Sequence, residues 1–400
     1  MSRVHDRPLA PPGPALLGFA ALAMFVAALN LRPALAAVSP LVDAIRSDLG
    51  LSATGVALLT TIPTLAMGLF APFAASVARR FGPRHGVALG LAVIAVGTAA
   101  RGLGGAAWLQ LSCAAAVGAG IAIAQTLLPA IVKARFAARP GLATGVYTAG
   151  LGLGGAIAAG VSAPLAATIG SWHGALASWS VLAVVGIAVW LTARPALGPD
   201  PATTTAGPAT RGLPWRDRTA WRVTVLAAAN SALYYCELAW VAALLHDDAD
   251  RTAVDAGVLL TVLIAIQVVA MLAVPAILGE ARDIRFGLTL TTAATALGFA
   301  GLALAPATLT WLWIVVLGIG HGGLFTLVLT VPVVISRDAA EAGRISAMAF
   351  FVGYACAALA PMLVGGLRDA LGDFQLAFAL LSGLAVATLL PISKLRPTGG

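Results

Sequence analysis

Charge is what this sequence has least of. Only 10% of its 400 residues are Asp, Glu, Lys or Arg, against about 25% in an ordinary soluble domain. So few charges cannot cover the 60% of the chain that is hydrophobic. A soluble enzyme, a nucleic-acid-binding domain and a secreted disulfide scaffold are excluded. Cysteine is scarce as well: Cys113, Cys236 and Cys356 each stand alone in an apolar run. They supply no disulfide framework and no metal-ligand spacing, and read as small buried side chains. Ser, His and Asp are scattered, without a nucleophile elbow or a zinc spacing. No enzyme activity, cofactor or metal is therefore expected. Short alternating segments of the kind that build membrane β-barrels are missing too.

What is there is a series of apolar runs of twenty residues and more. At about 20 residues per crossing, some 60% of 400 residues makes about twelve spans. Polar interruptions place them near 15–38, 53–78, 86–106, 108–132, 141–166, 173–192, 221–245, 253–278, 286–306, 309–335, 343–366 and 374–393. Arg3 and Arg7 precede the run from Ala15 to Leu29, and Ala34-Leu35-Ala36 has the form of a signal-peptide cleavage site. Arg32 and Pro33 interrupt that form, so the segment reads as the first permanent span. The net charge of +8 and the pI near 10.2 come from loops, not from a nucleic-acid surface. Counting loops with the N-terminus inside, nineteen of the 24 Lys and Arg residues lie on the cytoplasmic side. Arg46, Arg101, Arg251 and Arg368 lie on the other side, and Arg32 falls within a span. That split is a positive-inside signal with both termini cytoplasmic.

One long polar stretch, 193–220, is rich in Pro, Thr and charge and has the composition of a flexible linker. It divides the chain into an N-terminal bundle, 1–192, and a C-terminal bundle, 221–400. The halves repeat. Gly118 and Gly120 recur as Gly318 and Gly320, Pro129 as Pro332, Gly141 as Gly343, Pro164 as Pro361, and Trp172 as Phe374. The offset stays near 200 residues throughout. Parallel six-span repeats are a feature of the major facilitator fold.

Several intramembrane residues invite a role. Arg32 is costly within a span, about 2.5–3.5 kcal/mol near the centre. It could snorkel or pair structurally, bind an anionic or polar substrate, or gate. Its planar guanidinium suits a carboxylate-like anion. Glu237 is the acidic residue deep within a span, and Asn230, Tyr234 and Glu237 share one helix face by spacing. It could carry a coupling proton, serve as counter-ion to Arg32, or touch substrate. His321 could take a functional role or serve as an interhelical hydrogen-bonder. Gln125, Tyr147, Gln267 and Tyr354 are polar side chains of four further spans, which interhelical hydrogen bonding also explains. The Gly150-Leu151-Gly152-Leu153-Gly154-Gly155 run matches a dinucleotide fingerprint, but it sits mid-span, where close helix packing is the better reading.

Asn30-Leu31-Arg32-Pro33, then Pro40 and the stretch Ile45 to Ser52, resembles the first span and outer loop of the cyanate and 2-nitroimidazole transporter family of major facilitators. Gln125 to Pro129, Gly141 to Tyr147, Gly353-Tyr354 and Pro361 are similar to its fourth, fifth and eleventh spans. In the second loop Arg79 stands where the usual major-facilitator pattern has Asp, and the seventh span reads Trp240-Val241-Ala242 where the family tends to Trp-Leu-Pro. The resemblance implies an all-α membrane protein of twelve helices in two pseudo-symmetric six-helix bundles. It implies a secondary active transporter working by proton-coupled alternating access on a small polar or anionic solute. Substrate contacts are expected from Arg32, Asn30, Gln125, Tyr147, Tyr234, His321 and Tyr354. Glu237 is expected to couple protons, and Arg79, Arg80 and Arg84 to form a cytoplasmic gate loop. A monomer in a bacterial inner membrane is expected, with the bilayer and protons as further partners. An exporter of neutral or cationic drugs, and a non-transporting membrane sensor, are the competing readings.

Overall fold

The computed structural model describes residues 14–50, 53–198, 212–278 and 283–395, with the side chains of 53–57 and 253 left aside. Arg3, Arg7, Arg211, Arg282 and Arg396, used in the charge count, lie outside the described residues, as do Leu51, Ser52 and 199–211 of the expected linker. Among the described residues all regular structure is helical. Twelve helical segments are long and apolar enough to cross a membrane. The helix of the first span is Pro14–Leu29, followed in order by Ala53–Phe81, Pro83–Ala100, Ala107–Arg135, Pro140–Ile169 and Trp172–Thr192. The second six are Arg218–Asp247, Ala253–Leu278, Ile284–Leu304, Thr310–Ile335, Ala339–Leu371 and Gln375–Ala387, the last extended by Leu389–Ser393.

The ends follow local chemistry. Pro83 and Pro140 open helices at the position where a missing N–H is harmless. Ser171, Asp217, Asp283 and Asp338 accept hydrogen bonds from the first backbone N–H groups of the helices they precede. The expected linker at 193–220 is described at its two ends only. Arg194–Leu197 forms a helical turn with Ala196 and Leu197 buried.

The glycine repeat becomes a packing repeat. Gly118 of the fourth span lies on the Pro63 backbone of the second, and Gly120 on Gly90 of the third. In the other half Gly318 of the tenth span lies on Leu263 and Ile266 of the eighth, and Gly320 on Ala294 and Thr295 of the ninth. Any side chain at these positions would meet backbone atoms, so each pair fixes the same three-helix contact in its own bundle. The two bundles meet through the second and eleventh spans, where Gly68 faces Phe351 and Tyr354, and through the fifth and eighth, where Gly145 and Gly152 face Met271 and Val268. Thr148 and Thr326 close this seam with hydroxyls 2.8 Å apart, and Thr326 donates to the Met271 carbonyl at 3.2 Å.

The first span is not the continuous 15–38 helix that its apolar run predicts. Its helix ends at Leu29 and resumes only as a turn at Pro33–Ala36. Pro33 has no N–H to give, and the Asn30 side-chain amide donates back to the Val26 carbonyl at 2.8 Å. Three neighbours hold the break. Gly150 and Gly154 of the fifth span lie against the Phe25 and Leu29 carbonyls, Gly186 of the sixth seats the Asn30 amide, and Arg101 donates to the Ala34 carbonyl at 2.9 Å. Arg101 is thus no loop charge: it is 1% exposed and braces the broken helix. The fingerprint-like glycine run proves to be a close-packing surface.

Candidate substrate site

The break places Arg32 at the boundary between the bundles, beside a narrow cavity. Its volume is about 20 Å³. Arg32 contributes from the first span, Gln125 from the fourth, and Asn230, Tyr234 and Tyr235 from the seventh. Phe325 and Val328 of the tenth span and Phe350 and Tyr354 of the eleventh complete the wall. Arg32 Nη1 donates to the Tyr235 hydroxyl at 3.2 Å across the bundle boundary. Tyr354 lines the same wall as Gln125 and Arg32. The aromatic walls are organised in pairs. Phe350 and Tyr354 stack with centroids 5.7 Å apart, and Tyr234 lies 5.6 Å from both Tyr235 and Phe325. The guanidinium thus lies among aromatic rings and neutral polar side chains.

Among the described residues no carboxylate pairs with Arg32. Glu237 is engaged elsewhere. It is fully buried in the C-terminal bundle, where its Oε2 lies 2.6 Å from His321 Nδ1 and its Oε1 accepts from Gln267 Nε2 at 2.5 Å. Gly322 makes this possible, because its Cα packs directly on the Gln267 backbone. The counter-ion reading of Glu237 is therefore replaced by an imidazole and an amide from the same bundle. Tyr234 stands between the two groups: it walls the cavity and its ring lies 6.0 Å from that of His321.

The residues singled out in the sequence thus divide. Arg32, Gln125, Tyr234 and Tyr354 come together at the cavity. His321 joins Glu237 instead. Asn30 packs on Gly186, away from the wall. Tyr147 is buried close to Tyr354, outside the wall, with no partner for its hydroxyl among the described residues. In the loop, Arg79 donates to Ser76 at 2.9 Å, Arg80 lies over Phe81, and Arg84 donates to the Arg194 carbonyl at 3.2 Å. Tyr235 is a contact that spacing arguments missed. It lies off the face shared by Asn230, Tyr234 and Glu237, and the Tyr-Tyr pair was its only signal.

A twelve-span chain with duplicated bundles and a polar cavity at their boundary has known counterparts. The Major Facilitator Superfamily family model matches residues 16–361. The chain belongs to the major facilitator superfamily. It is a multi-pass membrane transporter of a small-molecule substrate, not an enzyme. It is 32% identical to the 2-nitroimidazole transporter of Escherichia coli, over 91% of each chain. It is also 32% identical to the cyanate transport protein CynX of the same organism, covering 92% of this chain and 96% of that one. Among solved structures it resembles the human organic anion transporter MFSD10, with a TM-score of 0.75 at 15% identity, covering 95% of this chain and 100% of that one. The Escherichia coli fucose:proton symporter FucP gives a TM-score of 0.70 at 12% identity, over 95% and 97%. Those two likenesses concern the fold alone.

Proposed function

We propose that this transporter carries a small, flat, polar or anionic solute, of the cyanate or nitroheterocycle kind, across a bacterial inner membrane by proton-coupled alternating access. The observation that supports the reading is Arg32, a guanidinium on a cavity wall whose described surroundings supply hydroxyls but no carboxylate. Arg32 is half-buried; a charge withdrawn from water without a counter-charge is costly, and a bound anion would remove that cost. Gln125, Tyr234, Tyr235 and Tyr354 would orient the solute. Glu237, hydrogen-bonded to His321 and Gln267, would take up and release the coupling proton. The two bundles, divided near residues 193–220, would rock about the cavity as a monomer in the bilayer, with both termini and the basic loops cytoplasmic.

The test is uptake by the purified protein in liposomes, with small anions, nitroheterocycles and lipophilic cations as candidates. Uptake confined to small anionic or electron-rich solutes, driven by an inward proton gradient and lost in Arg32→Gln, supports the proposal. Transport of bulky cations that ignores this substitution overturns it in favour of drug export. Binding without flux would instead favour a sensor.

A further inference from the structure

Two oxygens at the cavity have nothing to accept from. Gln125 Oε1 and Asn230 Oδ1 find no hydrogen-bond partner among the described residues, although Gln125 is only 2% exposed and Asn230 only 3%. Both residues line the same cavity as Arg32. The Gln125 side chain lies beside the Tyr354 side chain, and its oxygen is left over. Buried acceptors without donors are rare in folded proteins, and each is destabilising until a donor arrives. The cavity therefore has two chemical poles. Arg32 offers only donors, and Gln125 with Asn230 offers unused acceptors. An anion that can only accept, such as a bare halide or cyanate, satisfies the first pole and leaves the second empty.

We infer that the substrate carries an N–H or O–H donor in addition to its anionic or electron-rich end, and that Gln125 and Asn230 select it by that donor. The inference rests on the anion-carrier reading above and names the substrate class more narrowly: a planar ring or amide bearing both an acceptor group and a donor. A donor-lacking isostere is rejected because binding it would bury the two oxygens unpaired beside a third acceptor.

An isosteric pair of probes tests this. Pyrrole-2-carboxylate and furan-2-carboxylate share shape and charge, and differ in a ring N–H against a ring oxygen. Their binding to the purified, full-length protein is measured by thermal shift and by competition for uptake. The inference expects pyrrole-2-carboxylate to bind at least about tenfold more tightly. Gln125→Met and Asn230→Leu should each shrink that ratio, and Arg32→Gln should abolish binding of both probes. Equal binding of the two probes, with Arg32 dependence intact, overturns the donor inference and leaves the anion carrier standing. Binding that is absent or indifferent to Arg32→Gln overturns the anion-carrier reading, and this inference with it. A ratio unchanged in both cavity variants overturns the assignment to these oxygens. The comparison on the unmodified protein stands even if a variant fails to fold.

Discussion

Two polar clusters lie one helix turn apart on the seventh span, and they are built in opposite ways. Around Glu237 both carboxylate oxygens have a partner, all three residues belong to the C-terminal bundle and none is exposed, with His321 Nε2 left without a partner among the described residues. Around Arg32 the contacts cross between bundles, the hydrogen bond to Tyr235 is a long 3.2 Å, and nearby acceptors are unpaired. A network whose charged group is fully hydrogen-bonded stabilises the arrangement it is found in. An incomplete one is disposed to bind something and to change when the bundles move. The first has the character of structure or of an internal proton site, the second that of a receptor for a guest.

Substitutions can break this contrast. Glu237→Ala should have the largest effect on stability, about 3–5 kcal/mol, because it leaves His321 and Gln267 buried without their partner. Chemical or thermal unfolding in detergent measures it, and a wild-type melting temperature would erase the distinction between the clusters. Arg32→Gln should do the reverse. Transport should fall by about a hundredfold, the scale of a lost hydrogen bond to a charged group, with little change in melting temperature. Arg32→Lys should recover only part of it, since an ammonium cannot reproduce the planar fork. Gly154→Ala sharpens the comparison from the backbone side. Its methyl would strike the Leu29 carbonyl, at about 1–3 kcal/mol, and should raise KM by shifting Arg32. Tyr235→Phe should be mildest. It removes one hydroxyl from Arg32, about 1 kcal/mol, and is expected to change KM a few-fold while leaving unfolding unaffected.

Most of the architecture was legible because membrane spans are written in long apolar runs. The expected ends at 253–278 match Ala253–Leu278, and the Gly118/Gly318 repeat reappears as equivalent helix contacts. The site was legible in part. Arg32 announced itself by the cost of a charge in a span, and Gln125 and Tyr354 by polarity. Pairing was not legible. Nothing in the spacing of Glu237 shows that His321, 84 residues away, is its partner, because helix rotation within a bundle is set by packing. Asn30 was misleading for a related reason: a polar side chain beside a proline break can serve the backbone rather than a ligand, as its bond to Val26 does.

The break in the first span has a consequence for how such a chain diversifies. The backbone beneath Arg32 is wedged among glycines and an arginine of the N-terminal bundle, where almost any replacement collides with main-chain atoms. Much of the opposing wall, including Asn230, Tyr234, Phe325 and Phe350, hangs from the C-terminal bundle, free of that constraint. Mutational drift will therefore retain the positive anchor while reshaping what faces it. Descendants of one ancestral gene would come to differ in the shape of their cargo sooner than in its charge.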